Sequence, residues 1–291
     1  MTDRGARSST DWQARFEAFA SRKTREASAA VLPPFITELD REPPDVARIE
    51  HLWTARLFDG PFYVSNPRRK HVPACSLVFV QSADGNTGAA DPSTLGGGNT
   101  DKHLIYEGLS RVAADAVLAG AETIRGTDVV FSVWHPELVS IRQSFGLPRH
   151  PRQVVATRRG VDLDDTLLFN VPDVPAIIIT TDAGARAMTA AVAARPWVGI
   201  IRMNSERDIA SGFEQLRAGG IQRLGCVGGR HLARQLLDAS LVDDLYLTTS
   251  PHAGGEPNSF LYDRPLPGQV VVRKRGTGPE AGVIFEHWRM S

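Results

Sequence analysis

Apolar runs alternate with amphipathic stretches through most of the chain, from residue 75 onward. Short apolar runs bounded by turn residues predict buried strands, whereas apolar positions that recur every three to four residues predict helices packed on them. The predicted strands are residues 75–81, 116–118, 153–156, 176–180, 198–202, 223–227 and 245–249. The predicted helices are residues 101–114, 183–194, 206–218 and 231–239. This alternation indicates an α/β fold with a mainly parallel central sheet.

The last strands follow a different pattern. Residues 269–275 and 283–288 flank the sequence Gly276-Thr277-Gly278-Pro279, with no helical stretch between them. A short glycine-containing connection between two strands is typical of an antiparallel hairpin. The sequence therefore predicts a mainly parallel sheet that ends in an antiparallel C-terminal hairpin.

The first 73 residues are charged and helical in pattern. Asp11 is a candidate N-cap for a helix that runs to about residue 30 and carries Trp12, Phe16 and Phe19 on one face. Residues 45–58 predict a second amphipathic helix. We therefore expect residues 1–73 to form a helical appendage, packed on the main domain (residues 74–291) or on a second subunit, while a partly disordered leader remains an alternative for the first ten residues.

Composition narrows the class of protein. Of the 291 residues, 33 are Lys or Arg and 33 are Asp or Glu, so no net charge attracts nucleic acid or anionic lipid. The two cysteines form neither a disulfide framework nor a zinc pattern, and the eight histidines lack metal-ligand spacing. The N-terminus has no signal-peptide pattern, and the longest apolar runs are too short to span a bilayer. These features predict a cytoplasmic protein without a metal, a membrane partner or a nucleic-acid partner.

Two polar, glycine-containing segments follow the first predicted strand of the main domain. Ser82-Ala83-Asp84-Gly85 is either a simple tight turn or a place where Asp84 reaches the mouth of a pocket. Farther on, Gly96-Gly97-Gly98 precedes Thr100 and Asp101, either of which could cap the next helix. Three glycines form either a flexible lid or a close backbone approach to a ligand.

Two further glycine segments each end a strand and open a helix. They are LAGAETIRG (residues 118–126) and CVGGRH (residues 226–231). Free backbone N–H groups at such turns suit a phosphate or pyrophosphate, so the pair predicts a dinucleotide pocket. Neither segment has the P-loop pattern or the G-x-G-x-x-G fingerprint, and the chain has no G-x-S-x-G motif.

A basic turn follows the strand predicted at residues 153–156. Its sequence is Thr157-Arg158-Arg159-Gly160. A hydroxyl and two guanidinium groups there either bind a phosphomonoester, which in a dinucleotide site is the 2′-phosphate of NADP, or form a solvated basic turn.

These segments, in this order, resemble the reductase domain of the riboflavin-biosynthesis deaminase–reductase family, which has a dihydrofolate-reductase-like fold. The resemblance covers residues 73–288 and rests on SADG (82–85), RVAADAVLAGAET (111–123), VGG (227–229) with Leu232, LVDDL (241–245), SP (250–251) and GG (254–255). The zinc-deaminase motif of the bifunctional members is missing from the N-terminal region.

The resemblance implies an NADPH-dependent hydride transfer to the ribosyl anomeric carbon of an aminopyrimidine phosphate. The residues that it implies for the cofactor are Gly120, Ala121, Thr123, Thr127, Thr157, Arg158, Gly228, Gly229, Arg230, His231 and Leu232. It places Asp84 and Arg111 toward the substrate, and Asp84 is our candidate for proton delivery.

The chain departs from the family on the substrate side. Val227 stands where the family commonly has Glu, and Trp134 stands at the position of a substrate-phosphate Arg. A neutral side chain cannot replace the hydrogen bonds of a carboxylate or a guanidinium, so we expect recognition of the phosphorylated pyrimidine to be changed or lost.

The leading hypothesis is an NADPH-dependent reductase of a pyrimidine or pterin-like heterocycle, similar to the 5-amino-6-(5-phosphoribosylamino)uracil reductase of riboflavin biosynthesis. We expect it to act as a homodimer. The alternatives are a non-catalytic nucleotide-binding relative with an N-terminal interaction arm and a small-molecule transferase that uses the same crevice.

Overall fold

The computed structural model describes residues 9–89, 91–126, 128–205 and 208–291. Within these ranges the strands are β1 Phe35–Asp40, β2 Val46–Ile49, β3 Phe62–Ser65, β4 Ala74–Gln81, β5 Ala116–Gly120, β6 Arg152–Ala156, β7 Ala176–Thr180, β8 Val198–Arg202, β9 Arg223–Cys226, β10 Asp244–Thr249, β11 Gly268–Gly276 and β12 Ile284–Met290. The helices are α1 Ser9–Ala29, α2 Leu52–Phe58, α3 Gly98–Thr100 with its π-helical continuation Asp101–Leu109, α4 Ala121–Ile124, α5 Pro136–Ser144, α6 Asp182–Ala187, α7 Thr189–Ala193, α8 Ile209–Ala218 and α9 Arg230–Asp238. Short 3₁₀ turns occupy Pro92–Leu95, Leu167–Phe169 and Gly278–Glu280.

Ten of these strands form one sheet in the order β1-β11-β12-β10-β4-β9-β5-β6-β7-β8. From β10 to β8 the neighbours are parallel, whereas β12 pairs antiparallel with both β10 and β11. The mainly parallel sheet and the C-terminal hairpin predicted from the sequence are therefore confirmed. β2 and β3 form a separate two-stranded sheet.

Side chains of the central strands enter two hydrophobic cores, one on each face of the sheet. Along β5, Val117 and Ala119 belong to one core, and Ala116 and Leu118 belong to the other. Successive side chains of a strand point to opposite faces, so a strand covered by helices on both sides is apolar throughout. This is why the central strands stand out in the sequence as continuous apolar runs.

The N-terminal region differs from the helical appendage that the sequence predicts. The helix α1 is present and buries Trp12, Phe16 and Phe19. Residues 35–40 instead form β1, which pairs antiparallel with β11 at the edge of the main sheet. Residues 46–49 form β2, so the helix predicted over 45–58 is wrong in its first half.

Two expectations for this region stay predictions. The division of the chain at residue 73 is one of them. The other is a disordered leader over the first ten residues, of which residues 1–8 lie outside the described part of the chain.

The strand β1 escapes sequence prediction because its apolar residues, Phe35, Ile36 and Leu39, do not alternate with polar ones as buried and exposed positions do. Phe35 is buried and Ile36 is exposed, while the exposed Glu38 forms an ion pair with Arg275 of β11 at 3.0 Å. An edge strand of this kind carries charged residues that resemble the polar face of a helix. None of the described helices is long and apolar enough to cross a membrane.

Candidate active site

A cleft of about 1310 Å³ lies at the carboxyl ends of four adjacent strands, β4, β9, β5 and β6. Open α/β sheets bind their ligands at this edge. A single drug-sized ligand occupies a pocket of roughly 300–1,000 Å³. The cleft therefore has room for two ligands side by side, such as a cofactor and its substrate.

Glycines from two neighbouring strands meet in the middle of this cleft. The amide of Gly120, at the end of β5, donates to the carbonyl oxygen of Gly228, which follows β9, at 3.4 Å. Gly229 has a positive φ of 89°, and a Cβ there would lie 3.4 Å from the Cα of Gly120. A Cβ on Gly228 would lie 3.1 Å from Thr123. Side chains at these positions would fill the space between the two loops, so the glycines keep the backbone open to a ligand.

The helix α9 begins directly after this glycine pair. Its N-cap residue is Gly229, which offers no side chain to accept hydrogen bonds from the first backbone amides. Uncapped amides at a helix N-terminus attract anions. Arg230 lines the cleft at the same point, and its Nη1 is buried without a hydrogen-bond partner among the described residues. Uncapped amides and a guanidinium group at the same end of the cleft suit an anionic ligand.

The basic turn after β6 forms the next part of the wall. Arg158 and Arg159 are exposed and line the cleft. The hydroxyl of Thr157 donates to the carbonyl oxygen of Gly160 at 2.8 Å, which closes the turn. This speaks against the expectation that the Thr157 hydroxyl donates to a phosphate, because its proton is already used within the turn.

We call this part of the cleft the basic half. It comprises the lining residues at the ends of β5, β6 and β9 and along α9. Its charged side chains are Arg125, Arg158, Arg159, Arg230, Arg234, Glu122 and Asp238, with His231 beside them. The two carboxylates already have cationic partners, since Glu122 contacts Arg125 at 2.8 Å and Asp238 contacts Arg264.

Among most of the remaining lining residues, acidic side chains outnumber basic ones, and we call this part of the cleft the acidic half. It comprises Val78, Phe79 and Val80 of β4, the lining residues between residue 87 and residue 106, and Glu256. Its charged side chains are Asp91, Asp101, Glu256 and Lys102. Hydrogen bonds from Ser93 hold the pKa of Asp91 below its usual value, and the charge of Lys102 contributes.

Asp101 is the carboxyl group of the acidic half that is buried most deeply. It is 9% exposed, and the Thr248 hydroxyl faces its carboxyl group as a hydrogen-bond donor. Burial raises the pKa of Asp101 to about 7; the Thr248 hydroxyl opposes this rise, and the nearby charge of Glu280 adds to it. At neutral pH this carboxyl group is therefore poised to hold or release a proton.

Glycines at the start of α3 let the carboxyl groups of Asp101 and Glu280 lie directly against the backbone. A Cβ on Gly98 would collide with the carboxyl group of Glu280, and one on Gly97 would lie 2.9 Å from Oδ2 of Asp101. Glu280 Oε1 accepts from the amide of Asn99 at 2.7 Å. The close approach suggested by three successive glycines is thus an approach to the protein's own carboxyl groups.

The structure brings most of the residues expected at the cofactor into the cleft. Those that line it are Gly120, Ala121, Thr123, Thr157, Arg158, Gly228, Gly229, Arg230, His231 and Leu232. Val227, expected on the substrate side, also lines it. Thr127 lies outside the described residues.

Asp84 does not line the cleft, contrary to the expectation that it delivers a proton there. Its carboxylate accepts hydrogen bonds from Ser82 at 2.5 Å, from Asn86 at 3.1 Å and from the amide of Gly254 at 3.2 Å. These bonds, the one from Ser82 first, lower the pKa of Asp84. The exposed carboxylate stays ionised at neutral pH and fastens two loops together.

Arg111 and Trp134 do not line the cleft either, contrary to their expected place at the substrate. The guanidinium group of Arg111 is buried, lies 4.0 Å from the ring centre of Tyr106 and donates to the carbonyl oxygen of Ser132 at 3.1 Å. Trp134 is 5% exposed and packs edge-on against Phe19 of α1, with ring centres 5.5 Å apart. The physical reason is that the apolar face of α1 requires a partner, and Trp134 provides it.

Sequence patterns alone miss the acidic half. They indicate Asp101 only as a possible helix cap, and they do not single out Lys102, Tyr106 or Glu256. One usable signal is an acidic residue that follows three glycines and precedes an apolar helix. Among the described residues, no group of three His, Cys, Asp or Glu side chains is arranged to hold a metal ion.

Comparison with known proteins identifies the family. The sequence model of the RibD C-terminal domain matches residues 73–273, which is more than half of the chain. The chain belongs to the RibD C-terminal domain family. The resemblance to the reductase domain of the riboflavin-biosynthesis deaminase–reductases is thereby confirmed. No curated protein sequence matches the chain.

Solved structures of RibD-like proteins share the fold. A pyrimidine reductase-like protein from Corynebacterium diphtheriae aligns with a TM-score of 0.60 and 23% identity, over 75% of this chain and 92% of that one. A deaminase/reductase from Thermotoga maritima aligns with a TM-score of 0.55 and 19% identity, over 76% of this chain and 58% of that one. The riboflavin biosynthesis reductase Rib7 of Saccharomyces cerevisiae aligns with a TM-score of 0.51 and 17% identity, over 77% and 93%. The predicted dihydrofolate-reductase-like fold is confirmed.

Proposed function

We propose that this RibD-family protein is an NADPH-dependent reductase of a pyrimidine or related heterocycle. One observation carries the proposal. The glycines at the ends of β5 and β9 meet in front of the uncapped start of α9, where Arg230 lines the cleft. This arrangement suits the pyrophosphate of a dinucleotide, and the cleft is large enough to admit a substrate next to it.

The residues of the basic half fit the charges of NADPH. The first amides of α9 and Arg230 would hold the pyrophosphate, because the amides have no side-chain cap and Arg230 lines the cleft at the same point. Arg158 and Arg159 would hold the 2′-phosphate, since guanidinium groups bind phosphate through paired hydrogen bonds. NADH lacks that phosphate, so these two arginines would set the preference between the cofactors.

NADPH, when bound, supplies a hydride. Reduction of a polarised double bond consumes this hydride and one proton, so the protein must hold a proton next to the substrate. Asp101 lines the acidic half, and its pKa of about 7 keeps a share of the carboxyl groups protonated at neutral pH. We therefore expect the rate of reduction to fall as the pH rises above about 7.

A cofactor titration tests the proposal. Purified protein is titrated with NADPH and with NADH while nicotinamide fluorescence is followed, first as wild type and then as Arg158→Ala. We expect tighter binding of NADPH than of NADH, and a loss of about ten- to hundredfold in that preference in the variant. The matched control is Arg152→Ala, which removes an exposed arginine from the opposite end of β6, outside the cleft lining.

The outcomes separate the candidate functions. Failure of both cofactors to bind at millimolar concentration would overturn the reductase proposal. If the cofactors bind but Arg152→Ala loses as much of the preference for NADPH over NADH as Arg158→Ala does, the assignment of the 2′-phosphate site would instead be overturned. A homodimer, expected from the resemblance, is also a proposal, and sedimentation equilibrium of the full chain tests it.

A further inference from the structure

We propose that Glu280 is a positioning residue for the acidic half, because its carboxylate holds the start of the helix that carries Asp101. Glu280 is in turn held by a strap, which we define as residues 31–34 between α1 and β1. This role rests on the proposed function in one respect, since Asp101 serves the reaction only if the cleft belongs to a reductase. The match to the RibD C-terminal domain spans residues 73–273, so it leaves out both Glu280 and the strap.

The helix that begins with α3 has no capping side chain of its own. Its N-cap residue is Gly97, which forms no side-chain hydrogen bond to the first amides. Oε1 of Glu280 instead accepts from the amides of Asn99 at 2.7 Å and of Thr100 at 3.3 Å. A carboxylate at a helix N-terminus satisfies these amides and interacts favourably with the helix dipole. Glu280 therefore takes the role of an N-cap residue from a position 180 residues beyond Thr100.

The helix that Glu280 caps presents three side chains to the acidic half. They are Asp101, Lys102 and Tyr106, all on the π-helical continuation of α3. Asp101 is the first residue after α3, so it directly follows the turn whose amides Glu280 accepts. Helix ends fray, and a missing cap increases fraying in the first turn. Loss of Glu280 would therefore displace Asp101 before the other two side chains.

The strap crosses the same turn from the N-terminal region. The side-chain amide of Asn99 donates to the carbonyl oxygen of Val31 at 3.4 Å. The hydroxyl of Thr100 donates to the carbonyl oxygen of Pro33 at 3.0 Å. Proline has no backbone N–H, so the strap offers acceptors here without forming a strand ladder. The two residues whose amides meet Glu280 are thus also tied to the strap by their side chains.

The strap holds the hairpin turn that carries Glu280 as well. The hydroxyl of Thr277 donates to the carbonyl oxygen of Pro34 at 2.6 Å, and the amide of Glu280 donates to the carbonyl oxygen of Thr277 at 3.1 Å. Directly after the strap, Phe35 of β1 pairs with Gly276 of β11. Strap, hairpin turn and helix start therefore each contact the other two. Two of these three segments lie outside the residues that match the family.

The charge of Glu280 also acts on Asp101. Burial is the largest cause of the raised pKa of Asp101; the Thr248 hydroxyl of β10 opposes the rise, and the charge of Glu280 adds to it. Among the described residues, Glu280 is the one charged group that acts on this pKa. A nearby like charge disfavours the ionised form of a carboxyl group. Glu280→Gln removes the charge and keeps an acceptor oxygen, so it separates this effect from capping.

Hydrogen exchange followed by NMR on the full-length protein, without cofactor, tests the capping role. The signals to follow are the backbone amides of Asn99 and Thr100. Glu280→Ala should speed their exchange about tenfold, whereas Glu280→Gln should keep most of the protection. The matched control is Glu38→Ala, which removes an exposed carboxylate that pairs with Arg275 at the same edge of the sheet, outside the cleft lining. It should leave both amides unchanged.

The ionisation of Asp101 tests the action of the charge. Protein labelled with ¹³C at the aspartate carboxyl groups is titrated with acid and base, and the spectrum of Asp101→Asn identifies the signal. In Glu280→Gln, the pH at which half of the Asp101 groups are ionised should fall by about half a unit to one unit. In Glu38→Gln it should stay at the wild-type value.

Each outcome decides the role of Glu280. Unchanged exchange of both amides in Glu280→Ala would overturn the capping role. An Asp101 midpoint in Glu280→Gln at or above the wild-type value would overturn the action of its charge. If Glu280→Ala does not fold, Thr277→Val replaces it, because this variant removes only the bond between hairpin turn and strap. It should speed exchange of the same amides about threefold, and unchanged exchange would overturn the role of the strap.

NADPH binding keeps this role apart from the proposed function. The folded Glu280 variants should bind NADPH as the wild type does, because Glu280 does not line the basic half. Both NMR measurements are made without cofactor. Failure of the wild type to bind NADPH therefore defeats only the reductase, whereas negative NMR results in a protein that binds NADPH defeat only the role of Glu280.

Discussion

The two halves of the cleft are built in different ways. In the basic half, glycines and backbone amides at strand ends shape the site, and each loop is a short continuous segment. In the acidic half, Asp101 and Glu256 come from segments far apart in the chain, and Glu280, which contacts the glycine segment of this half, comes from a third segment. A site made of local backbone turns leaves a motif in the sequence, whereas a site made of distant side chains leaves almost none. Family resemblance is therefore a better guide to the first kind of site than to the second.

The largest expected effect is a loss of stability on substitution of Trp134. It tests whether this side chain is part of the core beside α1 or of the acidic half. Trp134→Ala should lower the free energy of unfolding by about 3–5 kcal/mol, because it removes a buried ring from the core shared with α1. Urea denaturation measures this loss, and Trp12→Ala, on the α1 side of the same core, should behave alike. A Trp134→Ala protein as stable as the wild type would contradict the packing role.

A second prediction concerns the pH dependence that Asp101 gives to stability. In the folded chain its pKa is about 7, against an ordinary value of 3.8, so the folded state binds more protons between these values. The wild type should therefore lose stability as the pH rises from about 4 to 7. Asp101→Asn cannot ionise and should be more stable than the wild type by about 2–4 kcal/mol near pH 8.

Denaturation curves at several pH values check this difference. Near pH 4 the carboxyl group of the folded chain is still protonated, and the two proteins should then have nearly equal stability. A difference in stability between the two proteins that stays constant from about pH 4 to 8 would show that Asp101 is not the titrating group. Asp84→Asn serves as the control. Because the pKa of Asp84 is lowered in the folded chain, this substitution should decrease stability near neutral pH rather than increase it.

The third prediction addresses the backbone of the basic half. Gly229→Ala forces a Cβ onto a residue with φ of 89° and should cost about 1–2 kcal/mol of stability. The control is Gly220→Ala. Gly220 has a φ of 93° and no atom within 4 Å of an added Cβ, so the substitution causes the same backbone strain away from the cleft. In the fluorescence titration, only Gly229→Ala should lower the affinity for NADPH, by about tenfold. Equal effects of both substitutions on NADPH binding would refute a local role for the glycine pair.

The smallest expected effect concerns Asp84. Asp84→Asn removes the charge from hydrogen bonds at an exposed turn, so the urea midpoint near neutral pH should fall slightly, as the lowered pKa of Asp84 requires. We expect the rate of reduction at saturating substrate to stay close to that of the wild type. A fall of about a hundredfold or more would restore Asp84 as the proton donor.

The sequence predicts the parallel strands well because both of their faces are buried. The continuous apolar run in β7 has no other stable environment than the middle of a covered sheet. β1 escapes prediction because its exposed positions carry charge. Comparison with the family wrongly places Trp134 at the substrate, because its packing partner α1 lies outside the residues that match the family. Burial in the folded chain raises the pKa of Asp101, and Glu280, which lies far along the chain, adds to the rise, so local sequence patterns carry no trace of it.

The pairing of β1 with β11 also sets an order of events during synthesis. Phe35 lies opposite Gly276, so the first strand of the sheet has its partner near the end of the chain. The ribosome releases β1 long before β11 exists, and this edge of the sheet closes only when nearly all 291 residues have emerged. Until then Phe35 lacks its neighbour Phe285. Protection of the nascent N-terminal strand is therefore a requirement of this topology, and a chain that stops before residue 268 leaves that strand without its partner.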